Sequence, residues 1–116
     1  MICHITVTTA KLAESIEFYK WLLGLPIASK ITSADKEIVF LGANETKLEL
    51  IADSSAKPVC AKNITIGFKV GNLDEKIAML KSKSIPHSQI VQVPNARFAF
   101  FTDLNGCNIQ LFEGQV

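Results

Sequence analysis

A chain of 116 residues is one domain, long enough to bury a core without disulfide or metal staples. Its hydrophobic fraction of 48% excludes a disordered chain, and a net charge of +1 with both signs interspersed gives no footing for nucleic acid or an anionic membrane. Arg97 is the only arginine, which weakens a phosphate-backbone role further, and no apolar run approaches the roughly 20 residues that span a bilayer.

The start, Met1-Ile2-Cys3-His4, passes directly into a strand pattern, so no secretion signal is expected. Cys3, Cys60 and Cys107 are odd in number and lack C-x-x-C spacing. They are expected to be reduced thiols of a cytoplasmic protein, and a cysteine zinc site is not expected.

Ile2 to Thr8 alternates and is rich in β-branched residues, which predicts a strand with Cys3, Ile5 and Val7 on one face and His4, Thr6 and Thr8 on the other. Thr9 is the expected N-cap of a helix carrying Leu12, Ile16, Tyr19 and Leu23, joined by Phe18 and Leu22. Gly24, with Pro26 beyond it, stops that helix. Trp21 lies off the stripe, at a subunit contact or partly exposed. Strands are expected over 27–32, 36–41 and 46–51, with turns at Ser33-Ala34-Asp35 and Gly42-Ala43-Asn44. The first half therefore reads βαβββ.

Residues 54–61 are the natural linker between a first module of about 1–53 and a second of about 62–116. The order then repeats: a strand at 64–70, a helix opened by the capping pair Asn72 and Glu75 with Leu73, Ile77 and Leu80 buried, and strands at 87–93, 97–102 and 107–112. Asn105-Gly106 is a tight-turn signal. A shift of 61 carries His4-Ile5-Thr6-Val7 onto Thr65-Ile66-Gly67-Phe68, Glu49 onto Gln110, and Phe40 onto Phe101. One offset linking separated stretches predicts an internal duplication.

The residues that carry a family resemblance are His4-Ile5, Ser15-Ile16-Glu17-Phe18-Tyr19, Leu23-Gly24-Leu25 and Leu48-Glu49-Leu50 in the first half. In the second they are Phe68-Lys69-Val70, Leu73-Asp74 and Asp103-Leu104-Asn105-Gly106-Cys107-Asn108-Ile109-Gln110-Leu111. Together they resemble the vicinal-oxygen-chelate superfamily of glyoxalase I, methylmalonyl-CoA epimerase, fosfomycin- and bleomycin-resistance proteins and extradiol dioxygenases. The final run looks like the family's D-P-x-G-N-x-I-E-L signature and departs from it at Leu104, at Cys107-Asn108 and at Gln110. The resemblance implies an α+β fold of two βαβββ modules forming a cleft of mixed, mainly antiparallel sheet. It also implies a homodimer with a small-molecule ligand.

Metal-dependent relatives place ligands on the first and last strand of each module, which transfers here to His4, Glu49, Thr65 and Gln110. His4, Glu49 and Gln110 are the metal candidates, for Ni, Zn, Co, Mn or Fe, and Glu49 is the candidate proton-moving base. Thr65 is a poor ligand and is instead a ligand-contact candidate. Alternation puts Phe98 and Phe100 on one face and Phe101 on the other, and one set lines the cleft. Phe40 and Phe101, matched by the offset, are the aromatic candidates. Arg97 is a candidate bidentate anchor for an anionic group, against the plainer reading of a surface arginine. Cys3 is expected to be buried and inert on the strand face opposite His4. Three readings follow: a metal-dependent glyoxalase-like lyase or isomerase; a metal-free, non-catalytic binder of small molecules in an aromatic cleft; or a divergent member whose site has decayed.

Overall fold

In the computed structural model, which describes residues 1–58 and 61–115, the chain opens with strand β1, His4–Thr9. Helix α1 (Leu12–Leu23) and strands β2 (Ile27–Ser33), β3 (Lys36–Leu41) and β4 (Lys47–Ala52) complete the first unit, residues 1–58. The second unit, residues 59–116, has β5 (Thr65–Lys69), α2 (Leu73–Ser82), β6 (Val91–Val93), β7 (Ala96–Thr102) and β8 (Asn108–Gly114). Cys60 and part of the expected linker lie outside the described residues. Each unit is βαβββ, as the sequence pattern predicts.

The sheet orders are β1-β4-β3-β2 and β5-β8-β7-β6. The first and last strands of each unit pair in parallel, and the other pairs are antiparallel. A parallel neighbour requires a crossover, and each helix supplies one. In unit 1, α1 packs on β4 and buries Val39, Leu41, Leu48 and Leu50 on one sheet face. In unit 2, α2 packs on β8 and the matching face holds Ala99, Phe101, Ile109 and Leu111. Among the described residues, the opposite face of each sheet has no helix of its own unit.

The duplication extends to register. Thr6 pairs with Glu49, and Gly67 with Gln110, both shifted by 61. The third strands break the offset, because Phe40 pairs with Glu49 while Phe100, not Phe101, pairs with Gln110. Six residues (42–47) separate Leu41 from its partner Leu48, but seven (102–108) separate Phe101 from Ile109. The extra residue lies in the turn, so Phe40 and Phe101 are not structural equivalents.

Local sequence explains several other differences. Thr9 is the last residue of β1, and its hydroxyl accepts from the Lys11 amide at 2.8 Å instead of capping α1. The cap position is Lys11, with no side-chain hydrogen bond. The buried stripe of α1 is Ser15, Tyr19 and Leu22, an i, i+4, i+7 run, and Leu23 is only half-buried. Ser15 is tolerated there because its hydroxyl donates to the Lys11 carbonyl at 2.6 Å. Trp21 is half-buried with its ring 6.0 Å from that of Phe18. Gly24 closes α1 at φ 64°, and its amide donates to the Lys20 carbonyl at 3.0 Å. Asn72 caps α2 through the Glu75 amide at 3.0 Å, as its position predicts.

The strand expected from His87 to Val93 shrinks to Val91–Val93, with an isolated bridge from His87 to Phe101. Ser88 is the cause. Its hydroxyl accepts from the Phe100 amide at 2.9 Å, taking the place of a ladder carbonyl.

The turn before β8 gives the Asp103–Asn108 run its physical meaning. Asp103, buried, accepts from the amides of Asn105 and Cys107 through Oδ1, both at 2.9 Å. Gly106 sits at φ 81°, where glycine is favoured. Burial, reinforced by the Asp103 charge, pushes the Cys107 thiol up to about 11. The unfolded thiol titrates at about 8.5. Between those values the unfolded chain releases a proton that the folded chain keeps, so this contribution to stability is full below about pH 8.5 and is lost as pH rises toward 11. Urea unfolding from pH 8 to 11 should show stability falling by up to about 1.4 kcal/mol per pH unit more steeply in the wild type than in Cys107→Ala. Equal slopes would contradict the shift.

Candidate functional site

The open face of unit 1 is set by alternation: His4 and Thr6 on β1, Glu49 on β4 and Phe40 on β3. Thr6 and Phe40 flank Glu49 in one row across the sheet. The Thr6 hydroxyl donates to Glu49 Oε1. His4 Nε2 lies 3.5 Å from the same oxygen, with side-chain exposures of 38% for His4 and 13% for Glu49. A carboxylate only accepts, so Nε2 is the protonated nitrogen facing it. In the neutral ring Nδ1 is then an acceptor, and the Cys3 thiol lies 3.2 Å from it. Phe40 buttresses the imidazole edge-on, with centroids 5.5 Å apart at 81°.

This corrects the expectation for Cys3. It precedes β1, so strand alternation does not govern it, and it is exposed and in contact with His4. Cys107 is buried, as a plain apolar residue would be.

Unit 2 repeats the row with different chemistry. Gly67 stands where Thr6 does, Gln110 where Glu49 does, and Phe100 where Phe40 does. A Cβ at Gly67 would come within 3.2 Å of Gln110 Oε1, so the missing side chain leaves room for the amide. The neighbouring row is Thr65, Asn108 and Thr102. Phe98, on the same face as Phe100, meets it edge-on at 5.7 Å and stacks on Phe112 at 6.0 Å and 6°.

A cavity of about 680 Å³ opens on unit 2, bordered by Thr65, Asn108, Thr102 and Phe100, with Lys62 on the β5 side and His87 beyond β7. Phe101 also borders it, although only 5% of that residue is exposed and its strand parity puts it on the helix side. Phe100, at 37% exposure, is the more available aromatic. Sequence reasoning missed Phe100 as the counterpart of Phe40, and His87 altogether. A signal for His87 was present, since it is one of only two histidines and directly follows Pro86.

Arg97 is placed elsewhere. It shares strand parity with Ala99 and Phe101, so it lies on the helix side of β7. Its fork donates to Asp74 at 3.0 and 3.1 Å and to Glu113 at 3.3 Å. The Arg97 guanidinium holds the Asp74 carboxyl below the usual carboxylate range. Arg97 thus ties α2 to β7 and β8 and does not border the cavity.

For a metal, His4 and Glu49 fit two vertices, since donors about 2.1 Å from a tetrahedral ion lie about 3.4 Å apart and this pair is 3.5 Å apart. Among the described residues no group of three or more His, Cys, Asp or Glu side chains is placed to hold an ion. The corresponding positions of unit 2, Thr65 and Gln110, offer a hydroxyl and an amide, both neutral and weak toward a divalent cation. This donor set does not fit a tightly held metal.

Each βαβββ unit carries a row of polar and aromatic side chains on its open face. The sequence matches the profile of the Glyoxalase/Bleomycin resistance protein/Dioxygenase superfamily over residues 1–111, and the chain belongs to that family. Among solved structures it is similar in fold to the trypanothione-dependent glyoxalase I of Leishmania major, at TM-score 0.83 and 23% identity, covering 97% of this chain and 86% of that one. The antibiotic binding protein TnmS3 from Streptomyces sp. CB03234 gives TM-score 0.74 at 14% identity, over 99% and 96% of the two chains. The fosfomycin resistance protein FosX from Listeria monocytogenes gives 0.76 at 15%, over 97% and 92%. No curated protein matches the sequence. Among the described residues, no helix is long and apolar enough to cross a membrane.

Proposed function

We infer that this chain is a small-molecule-binding member of its family that works without a resident metal. The observation that carries the reading is the replacement of the Thr6–Glu49–Phe40 row by Gly67–Gln110–Phe100. The second unit keeps the aromatic side chain and the space and lacks the charge. On unit 2 the ligand contacts in this reading are Thr65 and Phe100, with Phe101 at the cavity edge, and Phe40 is the aromatic candidate of unit 1's own open face. Arg97 is not carried into it, because its donors are engaged by Asp74 and Glu113. Similarity in fold to an antibiotic binding protein is consistent with such a role.

The second reading, a metal-dependent glyoxalase-like lyase in which Glu49 moves a proton, is favoured by the 3.5 Å spacing of His4 and Glu49. The two readings separate in a thermal-unfolding screen of aromatic compounds run in chelator. The binding reading predicts a compound that raises the midpoint equally with and without chelator and loses its effect in Phe100→Leu. Stabilisation that requires an added divalent ion would replace it with the lyase reading. Cytoplasmic location, consistent with the free thiols Cys3 and Cys107, belongs to the same proposal. So does a homodimer, on family resemblance alone, and a monomer by sedimentation at micromolar concentration would remove that part.

A further inference from the structure

At the start of unit 1 a thiol, an imidazole and a carboxylate fall into one line. Cys3 Sγ lies 3.2 Å from His4 Nδ1, and His4 Nε2 lies 3.5 Å from Glu49 Oε1. The Thr6 hydroxyl holds that carboxylate oxygen, and Phe40 braces the imidazole edge-on. Nucleophile, base and orienting group in this order are the arrangement that activates a cysteine. Cys3 is exposed, so its sulfur is open to a reactant.

The backbone here is tied down and does not fray. The Cys3 carbonyl accepts from the Lys47 amide at 3.0 Å, and the Ile2 carbonyl accepts from the Thr46 hydroxyl at 2.9 Å. The Lys47 ammonium is turned to the carbonyls of Ala43 and Glu45. Among the described residues, His4 is the one cationic partner of Glu49. The carboxylate therefore favours the tautomer with hydrogen on Nε2, and it faces the positive charge that develops when Nδ1 takes a proton. Cys107 supplies the contrast within the same chain. It is buried, and burial pushes its thiol up to about 11. A thiol of that kind is inert at neutral pH.

We propose that Cys3 is a covalent modification site that captures α,β-unsaturated carbonyl compounds. The sulfur forms a bond to the β-carbon, and the carbon–carbon π bond opens to an enolate. His4 Nδ1 takes the thiol hydrogen and returns it to the α-carbon. The product is a saturated carbonyl thioether, with nothing expelled and no oxidant consumed. Such an addition uses what the cluster offers, a soft nucleophile and one mobile proton. His4 touches the thiol and acts on it directly, whereas Glu49 is a positioning residue that acts through His4. The inference does not depend on the ligand-binding reading of unit 2.

The test treats the full chain with acrylamide at neutral pH in chelator and follows each cysteine by peptide mass spectrometry. Wild-type Cys3 should add acrylamide at least about tenfold faster than N-acetylcysteine, and His4→Ala should remove that advantage. His4→Gln keeps the bulk without a basic nitrogen and should remove it as well. Glu49→Ala should slow Cys3 by about fivefold, and Glu49→Gln, which retains an acceptor for the Nε2 hydrogen, should recover part of that loss. Cys107 is buried and should stay unlabelled in every folded variant, so its adduct reports unfolding. A wild-type Cys3 rate equal to that of N-acetylcysteine overturns the proposal. So does a His4→Gln rate equal to the wild type. Equal losses in the two Glu49 variants overturn the positioning role.

Discussion

Leu50→Ala is expected to lower the unfolding free energy by about 3–4 kcal/mol, while Glu49→Gln, one residue away, changes it by less than about 1 kcal/mol. Leu50 is fully buried on a central strand, between Val7 of β1 and Val39 of β3. Truncation removes buried methyl groups and leaves a cavity that a sheet paired on both sides cannot collapse to fill. Glu49 points to the other face. Its partner Thr6 can donate equally well to an amide oxygen, so the Glu49→Gln variant keeps the hydrogen bond and loses the charge. Urea unfolding of the two variants checks the contrast. Similar losses would mean that the open face of unit 1 is a second core and not a site.

Asp103→Ala should cost about 2–4 kcal/mol, more than its place in a turn suggests. The side chain is 8% exposed and accepts two backbone amides within its own loop. Without it, the Asn105 and Cys107 amides are left buried and unpaired, at about 1–3 kcal/mol each. Asp103→Asn retains an acceptor oxygen and should recover more than half of the loss. Equal destabilisation by Ala and Asn would show that charge, rather than acceptor geometry, holds the turn. The first part of the signature-like run, Asp103 to Cys107, is thus a fold device: it sets the turn that feeds β8, and Asn108 and Gln110 beyond it face the open side.

Much of the fold was legible because alternation and helical spacing are local. The strand order inside each unit follows from one helix crossover and the hairpins that come after it. The repeat at 61 residues was visible in the sequence and recurs in the pairing of β1 with β4 and of β5 with β8. What sequence could not supply was the length of one turn. A single added residue between Phe101 and Ile109 turns Phe100 toward the open face and Phe101 toward the helix.

The surroundings of Arg97 and of His87 were not legible, for different reasons. The parity of Arg97 was readable, but the face covered by α2 was not fixed until the ion pairs with Asp74 and Glu113 were seen. His87 was read as part of a strand. Its role as a cavity wall depends on Ser88 interrupting the ladder, which is a side-chain event that period-two patterns do not register. Cys3 failed because alternation was extended one residue past the start of β1.

The central claim is ligand binding without a resident metal. Its most direct test is thermal unfolding of chelator-treated protein with Ni, Co, Zn, Mn or Fe(II) added singly, in the wild type and in His4→Ala. An ion held at 100 times its dissociation constant would add about 2.7 kcal/mol of stability. Metal-free binding predicts no shift that depends on His4. A stabilisation of that size with any one ion, abolished in His4→Ala, would contradict it and make His4 and Glu49 the core of a working metal site.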